Sequence, residues 1–226
     1  MKTTGSHRPT WITYSKRFRE DAHQLLAWGY AGAVARIKPD HEETVITCFI
    51  TDAIELRLNA SFAVTPRRFS RYSVKTDNPV QGEGREGKAR RRLDIFIELT
   101  TQRPRPRYIF EAKRLSSRNH PITNYTDGDG LLRFAESTYA SDCPEAALVG
   151  YVQSDDLAYW EKKLKNRMDS RRRELHVKRK LSKCMVLSSL PNEWTSTHAR
   201  LGSGSIILYH IFLDCRAGIS HLRARL

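Results

Sequence analysis

The stretch that decides the fold runs from Leu93 to Lys113, LDIFIELTTQRPRPRYIFEAK. Two runs of strand-forming residues, 93–99 and 107–113, flank a polar, Pro-rich turn at 100–106, so the stretch reads as a β-hairpin. Side chains alternate faces along a strand. Leu93, Ile95, Ile97 and Leu99 therefore share one face of the first strand, and Asp94, Phe96 and Glu98 share the other. In the second strand Tyr108, Phe110 and Ala112 oppose Arg107, Ile109, Glu111 and Lys113. An apolar face must meet an apolar face, and that requirement selects a register. It sets Ile95 opposite Phe110, Ile97 opposite Tyr108, and Glu98 opposite Arg107 as a favourable charge pair. The same register sets Asp94 opposite Glu111, with Lys113 one step further on. Two carboxylates side by side repel, and a divalent cation between them relieves the repulsion. Hard oxygen ligands at this spacing suit magnesium or manganese.

Outward from the hairpin, residues 41–59 (HEETVITCFITDAIELRLN) read as an amphipathic helix, with Val45, Ile46, Phe49, Ile50, Ala53 and Ile54 at helical spacing. Residues 60–74 read as a strand and 75–92 as a polar loop ending in ARRR. Downstream, a helix is predicted near 128–140, a buried strand at 146–152, a long basic helix over 155–182, and strands at 183–189 and 205–214. Residues 1–40 hold at most a short helix. There are no repeats and no obvious linker, so one domain over 1–226 is the simplest count. Its core lies at about 41–153, and a basic helix and strands follow at about 155–226.

Composition narrows the function. The chain has 226 residues, with 39 Lys plus Arg against 25 Asp plus Glu, a formal net charge of +14. Such a balance suits a polyanion, because each phosphate contact by Lys or Arg releases condensed counterions. Hydrophobic residues make up 39%, too many for a disordered chain and too few for a membrane protein. The four cysteines, Cys48, Cys143, Cys184 and Cys215, are scattered without CxxC spacing, which argues against a zinc site. No run reaches transmembrane length and the first twenty residues are polar, so a cytoplasmic protein with reduced thiols is expected.

Asp94 in RRLDIFI and Glu111-Ala112-Lys113 in YIFEAKRL, together with the order of elements over 41–153, resemble the PD-(D/E)xK nuclease superfamily. The residue before Asp94 is Leu93 rather than Pro. NYTDGDGLLRFAESTYA with AALVGYV, and THAR with ILYHIFLDC, resemble segments of nucleases from bacterial restriction and defence loci. The resemblance implies an α/β restriction-endonuclease-like core, a central mixed sheet flanked by helices. It also implies hydrolysis of DNA phosphodiester bonds. Asp94, Glu111 and the carbonyl of Ala112 would hold Mg2+ or Mn2+, and Lys113 would orient water or stabilise the transition state. The setting implied is an effector of an anti-phage system, acting as a homodimer or with a companion sensor or ATPase subunit. Two rivals stand beside this: a DNA-binding module with a fossil site, and a ribonuclease using the same backbone chemistry.

Nucleases of this superfamily often add an acidic residue from the helix before the sheet. Glu42 and Glu43 both qualify. The helical wheel favours Glu42, in line with Ile46, Phe49 and Ala53, whereas the resemblance favours Glu43. For nucleic-acid contact the candidates are Arg91 and Arg92 beside Asp94, and Arg171, Arg172, Arg173, Lys178, Arg179 and Lys180 on the basic helix. A solvated helix face is the alternative for that last group, but positive charges crowd all round the helix with few acidic partners, which favours phosphate contact.

Overall fold

The computed structural model describes residues 16–79, 92–200 and 204–216. The hairpin forms as β2 (Arg92–Leu99) and β3 (Arg107–Leu115). Its register pairs Ile95 with Phe110, Ile97 with Tyr108 and Glu98 with Arg107, as the apolar faces demand. The hairpin belongs to a seven-stranded mixed sheet in the order β1-β2-β3-β4-β7-β6-β5. The other strands are β1 (Tyr72–Pro79), β4 (Glu145–Val152), β5 (Val177–Cys184), β6 (Glu193–Ala199) and β7 (Ser205–Asp214). β3, β4 and β7 run parallel at the centre, and the flanking pairs are antiparallel. A central parallel strand is covered on both faces, and β4 is accordingly buried along its whole length.

Helices cover both faces. α1 (Lys16–Ala33) and α2 (Glu43–Leu58) pack on the side of Ile95, Ile97, Tyr108 and Phe110. α3 (Ile122–Thr126), α4 (Leu131–Ala135) and α5 (Leu157–Ser170) pack on the side of Phe96, Ile109 and Leu148. Ile46, Ile50 and Ile54 of α2 are fully buried, each contributing roughly 1.5–3 kcal/mol. Gly29 lets α1 come close to α2, since a Cβ there would lie 2.6 Å from the Ile50 carbonyl oxygen. Among the described residues, no helix is long and apolar enough to cross a membrane.

Five sequence expectations need correction. The strand expected at 183–189 ends at Cys184, and the next strand is Glu193–Ala199, which was not expected. The strand expected at 60–74 begins only at Tyr72 and runs to Pro79, into the expected loop, while Arg67–Arg71 form a 3-10 turn that buries Phe69. Of the helix expected at 128–140 only Leu131–Ala135 forms; another short helix, Ile122–Thr126, precedes it across the Asp127–Gly130 turn. The long basic helix stops at Ser170, and residues 177–184 are an edge strand instead. Val177 there pairs with His198, a contact that helical periodicity in a basic stretch does not reveal. Last, α1 is a full helix of 18 residues where only a short one was legible.

A smaller departure matters more. Leu93 does not join Ile95 and Ile97 but packs in the opposite core with Phe96 and Ile109. The β2–β3 backbone pairing ends at Ile95 and Phe110. At the next position the backbone amide of Ala112 donates instead to the side-chain Oδ2 of Asp94, at 2.7 Å.

Candidate active site

Asp94 therefore takes the place of the next rung of the ladder, and this puts its carboxylate against Glu111. Glu111 shares the β3 face of Ile109 and Leu115 and is 3% exposed. Burial first, and the charge of Asp94 second, push its pKa well above the usual carboxylate range. Burial likewise raises Asp94 to about 6, and Lys113 pulls the other way. The Lys113 ammonium donates to Glu111 Oε1 at 2.9 Å and to Glu43 Oε1 at 3.1 Å. Burial works against its charge, but the carboxylates of Glu111, Glu43 and Asp94 outweigh burial and raise its pKa above the usual value. Glu111 Oε2 is buried with no N–H donor, and the Glu111 carboxyl lies in hydrogen-bonding contact with that of Asp94. Two buried carboxyls this close must share a proton or a cation.

Two buried carboxyls facing each other between strands fit a divalent cation. Magnesium takes one or two protein carboxylates and fills its remaining positions with water and phosphate oxygens. The Ala112 carbonyl would add a third oxygen to such a site. In a strand a residue's N–H and C=O lie on the same edge, so its carbonyl faces the Asp94 side, as its amide does. Among the described residues no three acidic, His or Cys side chains form a closed cage. The third carboxylate, Glu43, is held off by Lys113.

No family model matches this sequence, and neither does any curated protein or solved structure.

The α2 candidates separate cleanly. Glu43 binds Lys113 and accepts the Arg114 backbone amide on Oε2 at 3.1 Å. Glu42 is the N-cap residue, its side chain 67% exposed and paired with the Arg114 guanidinium at 2.7 Å. The helical wheel misled because the buried stripe of α2 contains Thr47 and Thr51, not Phe49 and Ala53. Both hydroxyls are satisfied: Thr47 bonds the Tyr151 hydroxyl at 3.0 Å, and Thr51 donates to the Thr47 carbonyl. The Thr47–Tyr151 bond fastens the first turn of α2 to β4 and so aims Glu43. Gln153, at the end of β4, donates to the His41 carbonyl at 2.6 Å and fixes the approach to that turn.

A cleft of about 570 Å³ opens beside Glu43 and Lys113, and its far wall is Thr123, Asn124, Asp127, Gly128 and Asp129. Sequence reading assigned no role to these residues, although a repeated Asp-Gly is itself a turn signal. Gly130 is required there, since a Cβ would lie 2.0 Å from the Tyr125 carbonyl oxygen. Asp127 is not free, being paired with Arg167 at 2.5 Å.

The basic candidates lie elsewhere. Arg91 lies outside the described residues. Arg92 opens β2 and pairs with Asp77. Arg171 pairs with Glu174, and Arg172 donates to the Val177 carbonyl, so this group lies in the turn between α5 and β5. Lys178, Arg179 and Lys180 are exposed on β5, with Lys180 near Asp169. β5 is four strand spacings from β3, about 19 Å. Charged side chains also protect an exposed edge strand from pairing with another chain. His198 and His210, left out of the site, are buried and share Ser196 Oγ at 2.7 and 2.8 Å.

Proposed function

We propose that this chain is a metal-dependent nuclease of the PD-(D/E)xK type on a restriction-endonuclease-like core, hydrolysing phosphodiester bonds of DNA. The observation that carries the reading is the convergence of Asp94, Glu111, Lys113 and Glu43, with the buried Asp94 and Glu111 carboxyls against each other. The net charge of +14 supports a polyanionic substrate.

Asp94, Glu111 and the Ala112 carbonyl would hold Mg2+ or Mn2+. When bound, such a cation lowers the pKa of coordinated water and neutralises charge on the scissile phosphate. Lys113 is too strongly held in its protonated form to act as a general base. Its ammonium instead presents fixed positive charge and hydrogen-bond donors toward the oxygens that gain charge in the transition state. Glu43 keeps that ammonium charged and oriented, and its own second oxygen is tied to the Arg114 amide.

The test is incubation of purified protein with plasmid, linear and single-stranded DNA and with RNA, under magnesium, manganese or EDTA. Cleavage should require the metal. Asp94→Ala, Glu111→Ala and Lys113→Ala should each lower the rate at least about 100-fold with the fold intact. Undiminished cleavage by Glu111→Ala would overturn the assignment, and cleavage of RNA alone would move it to a ribonuclease.

A further inference from the structure

On the same side of the sheet as Glu111, a second cavity of about 350 Å³ lies between the β1–β3 surface and the segment 138–142. Ile109 forms part of its floor. Ile109 and Glu111 are two residues apart on one strand face, about 7 Å along the strand. That is one nucleotide's reach from a phosphate held at Asp94 and Glu111.

The lining chemistry is specific. Lys75 and Arg107 lie 6.0 and 5.9 Å from the centroid of the Phe96 ring, so two cations flank one aromatic group. Asp142 and Glu98 offer carboxylate acceptors, already engaged with Arg107 and Arg105. Thr138 and Ser141 add hydroxyls. Cations beside an aromatic surface, with acceptors for ring N–H groups, suit a nucleobase and its sugar-phosphate.

The outer wall is rigid. Ser137 and Ala140 both have positive φ, 60° and 51°, a conformation that costs of order 1 kcal/mol or more for each non-glycine residue. The buried guanidinium of Arg200 holds this segment by donating to the carbonyls of Ala140 at 2.5 Å and Ser141 at 3.3 Å. Tyr139, between them, is buried within the electrostatic reach of Glu111, Lys113 and Asp94. The wall of the cavity and the edge of the carboxylate cluster are thus one strained, anchored segment.

We infer that this cavity is the subsite for the nucleoside next to the phosphate being cut, and that it takes that nucleoside unpaired. Its volume lies at the small end of ligand pockets. It has room for one nucleoside but not for a base pair with both sugars. A duplex must therefore yield an extruded or frayed nucleotide. The inference rests on the nuclease reading, and two measurements separate them.

The first measurement is binding. Glu111→Gln protein is titrated with thymidine 5′-monophosphate in EDTA, followed by NMR. Saturable binding is expected, weakened at least tenfold by adding Ser141→Trp, which fills the mouth, and by adding Lys75→Ala, an exposed change that leaves the core alone. Absence of binding, or equal binding in both double variants, overturns the subsite. The second is cleavage by the otherwise unaltered protein of two duplexes that differ by one unpaired nucleotide. Cutting beside the unpaired nucleotide should be favoured at least tenfold, and Ser141→Trp should abolish the preference. Equal cutting of both duplexes overturns the inference and leaves the nuclease reading standing. Site-specific mononucleotide binding with no cleavage of any nucleic acid removes the nuclease reading and the inference with it.

Discussion

Removing the charge of Asp94 should destroy activity and stabilise the protein. Burial raises the Asp94 pKa from 3.8 to about 6. A raised folded pKa means the native state binds the proton more tightly than the unfolded chain does. The charge is therefore a cost above pH 6, and stability is regained as pH falls from about 6 to about 4. Two units at 1.36 kcal/mol each come to about 3 kcal/mol at pH 7.5. In Asp94→Asn the amide oxygen still accepts the Ala112 N–H, but Lys113 loses one of its three facing carboxylates. The net gain is then about 1–3 kcal/mol, or roughly 3–9 °C in Tm for a chain of this size. Calorimetry from pH 4 to 8 in EDTA measures it. The variant should melt higher at pH 7.5, and the difference should shrink towards zero at pH 4. Magnesium should raise the Tm of the parent more than that of the variant. A variant that melts lower than the parent at pH 7.5, or a difference independent of pH, would refute the claim that Asp94 is held charged against burial.

Other tests follow from the same geometry. Glu43→Gln should slow cleavage about tenfold or more, as Lys113 loses a charged acceptor, while Glu42→Gln stays within about twofold; steady-state rates across magnesium concentrations compare them. Replacing Lys178, Arg179 and Lys180 with Gln should flatten the slope of log affinity against log salt if β5 touches phosphate; an unchanged slope leaves these residues as protection of a sheet edge. Burial holds His198 at about 4 and His210 at about 3, so their contribution is intact above pH 6.5 and is lost as pH falls towards 4. Down to pH 4 this amounts to about 3 kcal/mol each. Urea unfolding of an Asp94→Asn protein, which lacks one opposing carboxylate, should show the decline.

The parts of the fold legible in the sequence are those where one constraint dominates. The hairpin register was legible because alternation of Ile95, Ile97, Tyr108 and Phe110 admits few pairings. β4 was legible because AALVGYV is apolar throughout. β5 was not, since VKRKLSKC carries its charges on an exposed edge and its partner, β6, lies beyond a turn. The register brought the Asp94 and Glu111 positions level, but the ladder ends at Ile95 and Phe110, and the Asp94 carboxylate meets Glu111 by taking the Ala112 amide. The choice between Glu42 and Glu43 was not legible. It depends on Thr47 being buried against Tyr151, a hydroxyl pair that hydrophobic patterning counts as polar and assigns to solvent. The walls at 127–129 and 138–142 come from long-range packing, such as the hold of Arg200 on Ala140, that no local pattern announces.

The hydrogen bond from Ala112 to Asp94 has a consequence for which acid this position tolerates. Here a side chain completes a backbone ladder, so its length is set by the spacing of two strands before any cation is considered. Asp94→Glu keeps the charge and the accepting oxygens but adds a methylene, which no longer fits between its own backbone and the Ala112 amide. The longer acid must either leave that amide unbonded or spread the end of the hairpin. In the motif that the hairpin resembles, the choice between aspartate and glutamate falls at the Glu111 position; at Asp94 the hairpin itself discriminates between them.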